Sequence, residues 1–226
     1  MQMTTAEKQT DDRTIDEIFA SMVKINEMKA ELESQQPEAE QKPAGLPRPE
    51  PFRTNGLHPC VKEALDAADA WVRDITTFGN PHWLTLFGRS GCGKTHLLKT
   101  AQYVLRQAGR QVIYRNWPAV MDEIIDGEWG HIAVMCRAHV LILDDIGAGY
   151  MASGRRALIA AAKLYEIMEA RLGRWTLLAS NLAPQDISDR VDPRIASRLY
   201  RGENQLVDMR AAGDYAYSQY MQRRNG

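Results

Sequence analysis

Eight residues, GRSGCGKT at 88–95, limit what this chain can fold into more than any other stretch. Gly88 opens the turn directly after an apolar run, and Gly93-Lys94-Thr95 close it with the spacing G-x-x-x-x-G-K-[ST]. The run before it, carrying Trp83, Leu84, Leu86 and Phe87, has the length of a short buried strand. After it, Leu97, Leu98, Ala101, Val104, Leu105 and Ala108 recur at helical spacing, and Gly109 is placed to stop the helix. Strand, glycine loop and helix in that order make an anion cradle. Successive backbone N–H groups curl round a phosphate, and the helix N-terminus adds positive potential. Lys94 is then placed to reach β- and γ-phosphates, and the Thr95 hydroxyl to take one position on Mg²⁺. The expected nucleotide-binding segment is Gly88, Arg89, Ser90, Gly91, Cys92, Gly93, Lys94, Thr95 and His96.

Around this loop the 226 residues have the composition of a globular protein, 44% hydrophobic and 25% charged. No apolar run approaches the ~18 residues needed to span a bilayer, and the polar N-terminus has no apolar signal core. Cys60, Cys92 and Cys136 form no C-x-x-C pair, and a disulfide at Cys92 would obstruct the loop. Free thiols in a reducing cytoplasm, with no membrane, are the expectation. Charge is unevenly spread: residues 1–50 hold six Lys/Arg against eleven Asp/Glu, and residues 51–226 hold 22 against 18. A mildly basic body permits a nucleic-acid partner without demanding one.

In chain order, residues 1–34 predict an amphipathic helix, with Ile15, Ile18, Phe19, Met22, Ile25, Met28 and Leu32 on one face. Such a helix is marginal alone, so its stripe needs a partner, and a docking arm is the expected role. Residues 35–58 read as a linker, five of the ten prolines falling within 35–51. The body is 59–226. A helix over 60–75 buries Val61, Leu65, Ala68, Trp71, Val72 and Ile75. Gln111–Tyr114 is a second strand, followed by helical segments broken near Gly127 and Gly130. His139–Leu143 is a continuous apolar run closed by Asp144-Asp145, the Walker B pattern. Asp144 would hold Mg²⁺ and Asp145 would deprotonate the attacking water. Residues 155–172 predict a helix with Leu158, Ala162, Tyr165, Met168 and Leu172 inward. Trp175–Ala179 is a strand ending at Ser180-Asn181, where Asn181 can contact water and γ-phosphate, cap the next helix, or do both. In PRIASRLY, Arg194 and Arg198 share a helical face. They are either solvated arginines or groups presented to a neighbour's nucleotide. Gln205–Val207 is a last short strand, with too little chain after it for a further helical domain.

The order GRSGCGKTHL, VLILDDIGAG, WTLLASNLAP and DPRIASRLY, over about residues 83–210, resembles the AAA+ ATPases of the DnaC/DnaI helicase-loader and IstB transposition-helper group. The resemblance implies an α/β P-loop NTPase of AAA+ type: a parallel sheet with flanking helices, no C-terminal lid, preceded here by the N-terminal helix and Pro-rich linker. It implies ATP and Mg²⁺ as cofactors, with Lys94 and Thr95 as the Walker A pair and Asp144 and Asp145 as Walker B. Asn181 matches sensor 1, Arg198 the arginine finger, and Arg194 a second interface arginine. It further implies head-to-tail self-assembly, binding to single-stranded DNA, and a replicative DNA helicase gripped through residues 1–50. The same engine acting on a transposase is the alternative. Asp145 stands where many members carry Glu, which points to slow hydrolysis regulated by partner and DNA. Candidate single-stranded DNA contacts are Tyr150, Arg155 and Arg156 after Walker B and Arg115 and Trp117 after the second strand; Trp117 and Trp129 read better as core. A small-molecule kinase would need an Arg-rich lid that the sequence does not supply. A non-catalytic adaptor would not need an intact Lys94, Thr95, Asp144 and Asp145.

Overall fold

The computed structural model describes residues 47–49, 57–147, 155–215 and 224, with the side chains of 155 and 156 excepted. The expected N-terminal helix, most of the linker, Tyr150 and the side chains of Arg155 and Arg156 therefore lie outside the described residues.

Helix α1 (Pro59–Thr76) starts where His58 caps the Cys60 N–H and Pro59 supplies a preset φ. It buries Val61, Ala64, Leu65, Ala68, Trp71, Val72 and Ile75, the stripe its periodicity predicts. Strand β1 (Trp83–Phe87) leads through the glycine loop into α2 (Lys94–Gln107). Then come β2 (Val112–Asn116), α3 (Trp117–Ile125), α4 (Gly130–Arg137) and β3 (Val140–Asp144). Helix α5 (Arg155–Ala170), β4 (Trp175–Ser180), α6 (Pro184–Arg190), α7 (Pro193–Leu199) and β5 (Gln205–Asp208) complete the described order. The five strands form one wholly parallel sheet in the order β2-β3-β4-β1-β5. β1, β3 and β4 are buried along their whole length, as strands covered on both faces must be, and so read as unbroken apolar runs. One face carries α1 and α2, with Trp71, Leu98 and Leu105; the other carries Trp117, Met135, Leu164 and Ile195.

Two expectations are corrected. In α5 the inward stripe is Ala160, Ala161, Leu164, Ile167 and Met168, whereas Leu158 is 73% exposed and Ala162 also faces out. Two overlapping i, i+3/i+4 series run through this helix, and Tyr165 marks the flank between them. It is half-buried, with its ring turned to Arg194 and Arg198. Trp117 is buried as expected, but Trp129 is half-exposed, because the chain breaks at 126–129 and its ring lies under the Lys163 ammonium.

The end of the sheet remote from the loop is held by an unexpected group. Arg171, with no exposed surface, donates to the carbonyls of Ala138, His139 and Trp175 and to Thr176 Oγ1 at 3.1 Å. Burial lowers its pKa to about 10, which still leaves it charged at neutral pH. Arg171→Met keeps much of the volume but strands the buried Trp175 carbonyl and two part-buried ones, Ala138 and His139. It should destabilise the fold by about 3 kcal/mol or more, read as a lower urea midpoint.

Candidate nucleotide site

The C-terminal ends of β3, β4 and β1 lie side by side, and in parallel sheets ligands bind beyond those ends. Phe87 pairs with Ser180 and Leu143 with Leu178, so the glycine loop, Asp144-Asp145 and Asn181 emerge together. The Gly88 N–H donates to the Ser180 carbonyl at 3.1 Å, which ties the start of the loop to the strand that presents Asn181.

Within the loop, Arg89 and Ser90 are exposed, Cys92 is buried, and Lys94, at the first position of α2, is only 6% exposed. A buried ammonium needs three acceptors. Lys94 Nζ has three oxygens: Gly88 O at 2.6 Å, Arg89 O at 2.9 Å and Asn181 Oδ1 at 2.9 Å. Cys92 Sγ is a fourth contact at 3.8 Å. The loop therefore wraps its own lysine, and Thr95 and His96 follow in the first turn of α2, Thr95 exposed.

Asn181 joins the two halves of the site. Its Nδ2 donates to Asp145 Oδ1 at 2.7 Å while its Oδ1 accepts from Lys94. Lysine can only donate and carboxylate only accept, so the amide has one orientation. Of the two sequence readings, capping falls: Ala183 is the N-cap of α6, and no side chain caps it. Asp145 has φ +59, a left-handed backbone uncommon outside glycine. That single residue turns the chain so that the Ile146 N–H regains the Ala179 carbonyl at 2.9 Å. Burial, then the neighbouring Asp144, raises the Asp145 carboxyl above the usual range, with Lys94 opposing.

Asp144 is 2% exposed, and its Oδ2 accepts from the Tyr114 hydroxyl at 2.7 Å. Burial and that hydrogen bond push the Tyr114 phenol well above its usual pKa, so it stays a donor. No group of three His, Cys, Asp or Glu side chains able to hold a metal occurs among the described residues. A cation here would need phosphate oxygens as ligands, with Asp144 and Thr95 supplying the protein's hard oxygen donors; this donor set suits Mg²⁺.

The segment after β5 returns over the loop. Met209 N donates to Phe87 O at 2.7 Å and Tyr215 N to Gly91 O at 2.9 Å. A Cβ at Gly88 would sit 2.8 Å from the Met209 carbonyl carbon, so only glycine fits. At Gly91, where φ is +82, a Cβ would meet the Asp214 carboxylate at 2.5 Å.

Arg194 and Arg198 are not brought into this cluster. Arg198, 9% exposed, donates to Glu169 Oε2 at 2.6 Å and to the Tyr165 hydroxyl at 2.9 Å. Arg194 is exposed, pairs with Asp192 at 2.7 Å, and lies over the same Tyr165 ring. Arg115 is paired with Glu123 and Trp117 is buried, so neither stands free as a nucleic-acid contact. Sequence reasoning missed Tyr114, Glu169 and Asp214. Tyr114 and Glu169 bond to residues 30 and 29 positions away, and Asp214 lies against Gly91, so no local pattern marks any of the three.

A wholly parallel sheet in this order, with the loop after β1, two carboxylates after β3 and an amide after β4, decides the architecture. This is an AAA+ fold. Solved AAA+ structures are similar along most of the chain. The replication initiator DnaA bound to AMPPCP and single-stranded DNA superposes with TM-score 0.52 at 21% identity, over 76% of this chain and 57% of that one. The DnaC helicase loader superposes with TM-score 0.51 at 19% identity, over 63% of this chain and 88% of that one. In sequence, the chromosomal replication initiator DnaA 2 of Protochlamydia amoebophila is 29% identical over 133 residues. That match covers 56% of this chain and only 28% of the initiator. No protein-family model matches the chain. No helix among the described residues is long and apolar enough to cross a membrane.

Proposed function

We propose that this AAA+ protein is an ATP-dependent factor of replication initiation that binds single-stranded DNA and delivers or remodels a hexameric replicative helicase, gripping it through residues 1–50. The carrying observation is the continuous chain Lys94–Asn181–Asp145, which links the phosphate loop to the carboxylate best placed to act as base. ATP phosphates would take over the Lys94 ammonium and the loop N–H groups, and Asn181 would contact the γ-phosphate and the attacking water. Asp145, ionised, would accept a proton from that water as its oxygen bonds to the γ-phosphorus and the bond to ADP breaks. Asp144 and Thr95 would hold Mg²⁺, which would supply charge neutralisation of the phosphates. Arg198 or Arg194 of a second copy would reach the same phosphates across a head-to-tail interface. For Arg198 this requires exchange of its pair with Glu169.

The loader reading is supported over the alternatives by the apolar stripe of residues 15–32 and the Pro-rich stretch after it, a sequence pattern that suits a docking arm. Full-length protein should co-elute with the purified replicative helicase in ATP and Mg²⁺, and a chain beginning at residue 51 should not. Failure of both to bind the helicase, with binding to a transposase instead, would replace this reading by that of a transposition helper.

A further inference from the structure

Resting on the nucleotide-site reading above, we infer that Tyr114 is a positioning residue that fixes the Asp144 carboxylate for the cation accompanying ATP. Nothing in the motif pattern marks this tyrosine; the structure does. Tyr114 pairs with Ile142 across the β2–β3 ladder, and Asp144 pairs with Asn116. The phenol thus reaches two residues along the strand direction, and its hydroxyl donates to Oδ2 at 2.7 Å. Asp144 is almost wholly buried, so water cannot fix its orientation. A buried carboxylate with one oxygen tied has a restricted geometry to offer a hard cation, which binds best where ligands are already oriented. The tether is also neutral. An arginine in its place would cancel the charge that attracts the cation, whereas a phenol orients the carboxylate and leaves its charge intact.

The competing account is that the hydroxyl merely satisfies a buried acceptor, a matter of stability alone. The two differ in what magnesium does. Binding of a fluorescent ATP analogue to the full chain would be titrated with Mg²⁺ after EDTA treatment, for wild type and Tyr114→Phe. The phenyl ring preserves the packing, and thermal melts check the fold. Positioning predicts that the half-saturating Mg²⁺ rises about tenfold in Tyr114→Phe while the affinity measured in EDTA is unchanged. On an Asp144→Asn background the same substitution should shift nothing further, because the tyrosine acts through that carboxylate. An unchanged Mg²⁺ midpoint in a variant that binds nucleotide normally would overturn the inference and leave the site intact. A further shift on the Asp144→Asn background would also overturn it. Wild-type protein that binds no nucleotide would instead overturn the proposed function, and the inference with it.

Discussion

Replacing Lys94 by alanine should lower ATP affinity by at least about a hundredfold, the equivalent of ~3 kcal/mol for a charge-assisted contact in a shielded site. Two losses combine. The phosphates lose the cation that would neutralise them, and Gly88 O, Arg89 O and Asn181 Oδ1 lose the donor they share. Asn181 is then free to turn away from Asp145, so any residual bound nucleotide should also be hydrolysed poorly. Calorimetry with ATP and Mg²⁺ measures the first effect, alongside a thermal melt without nucleotide to confirm folding. An affinity equal to wild type would remove Lys94 from the site and the site from the function.

Asp145→Asn should bind ATP near normally yet lower kcat by about a hundredfold to ten-thousandfold, the usual worth of a general base. Asparagine tolerates the left-handed backbone at φ +59, so the variant removes the charge without disturbing the turn. The raised carboxyl also fixes the sign of the pH effect. Hydrolysis needs the ionised form, so in wild type the acid limb of kcat should fall away at a higher pH than an ordinary aspartate would give. Mixing Asp145→Asn with Arg198→Ala tests the interface: a copy with a sound base then meets a neighbour with a sound arginine. Random head-to-tail mixing at equal ratio restores at most about a quarter of the sites. No recovery at any ratio would show that Arg198 acts where it lies, against Glu169 and Tyr165.

How much was legible in the sequence depended on how local each feature is. The glycine loop, Asp144-Asp145 and the stripe of α1 were plain, because a turn of fixed spacing and a helical period are properties of neighbouring residues. The contacts that make a site of them were not. Lys94 and Asn181 meet across 87 residues, and Arg198 and Glu169 across 29. Strand order brings the first pair together, and the packing of α7 against α5 the second. The inward face of α5 was misjudged for a different reason. Leu158 fits an apolar series as well as Ala161 does, and only the packing of Leu164 and Ile167 on the sheet decides between them. Asn181 was ambiguous because an amide at a strand end suits a cap and a ligand equally, until the neighbours of both its atoms are known.

The left-handed turn at Asp145 bears on how such a protein can change over generations. One base change converts an aspartate codon to glycine, asparagine or glutamate. Glycine and asparagine suit this backbone but carry no base. Glutamate keeps the carboxylate, yet a side chain of that kind in the left-handed region costs about 1–2 kcal/mol. On the proposed role of Asp145, drift at this position leads more readily to a protein that holds a nucleotide than to one that turns it over faster.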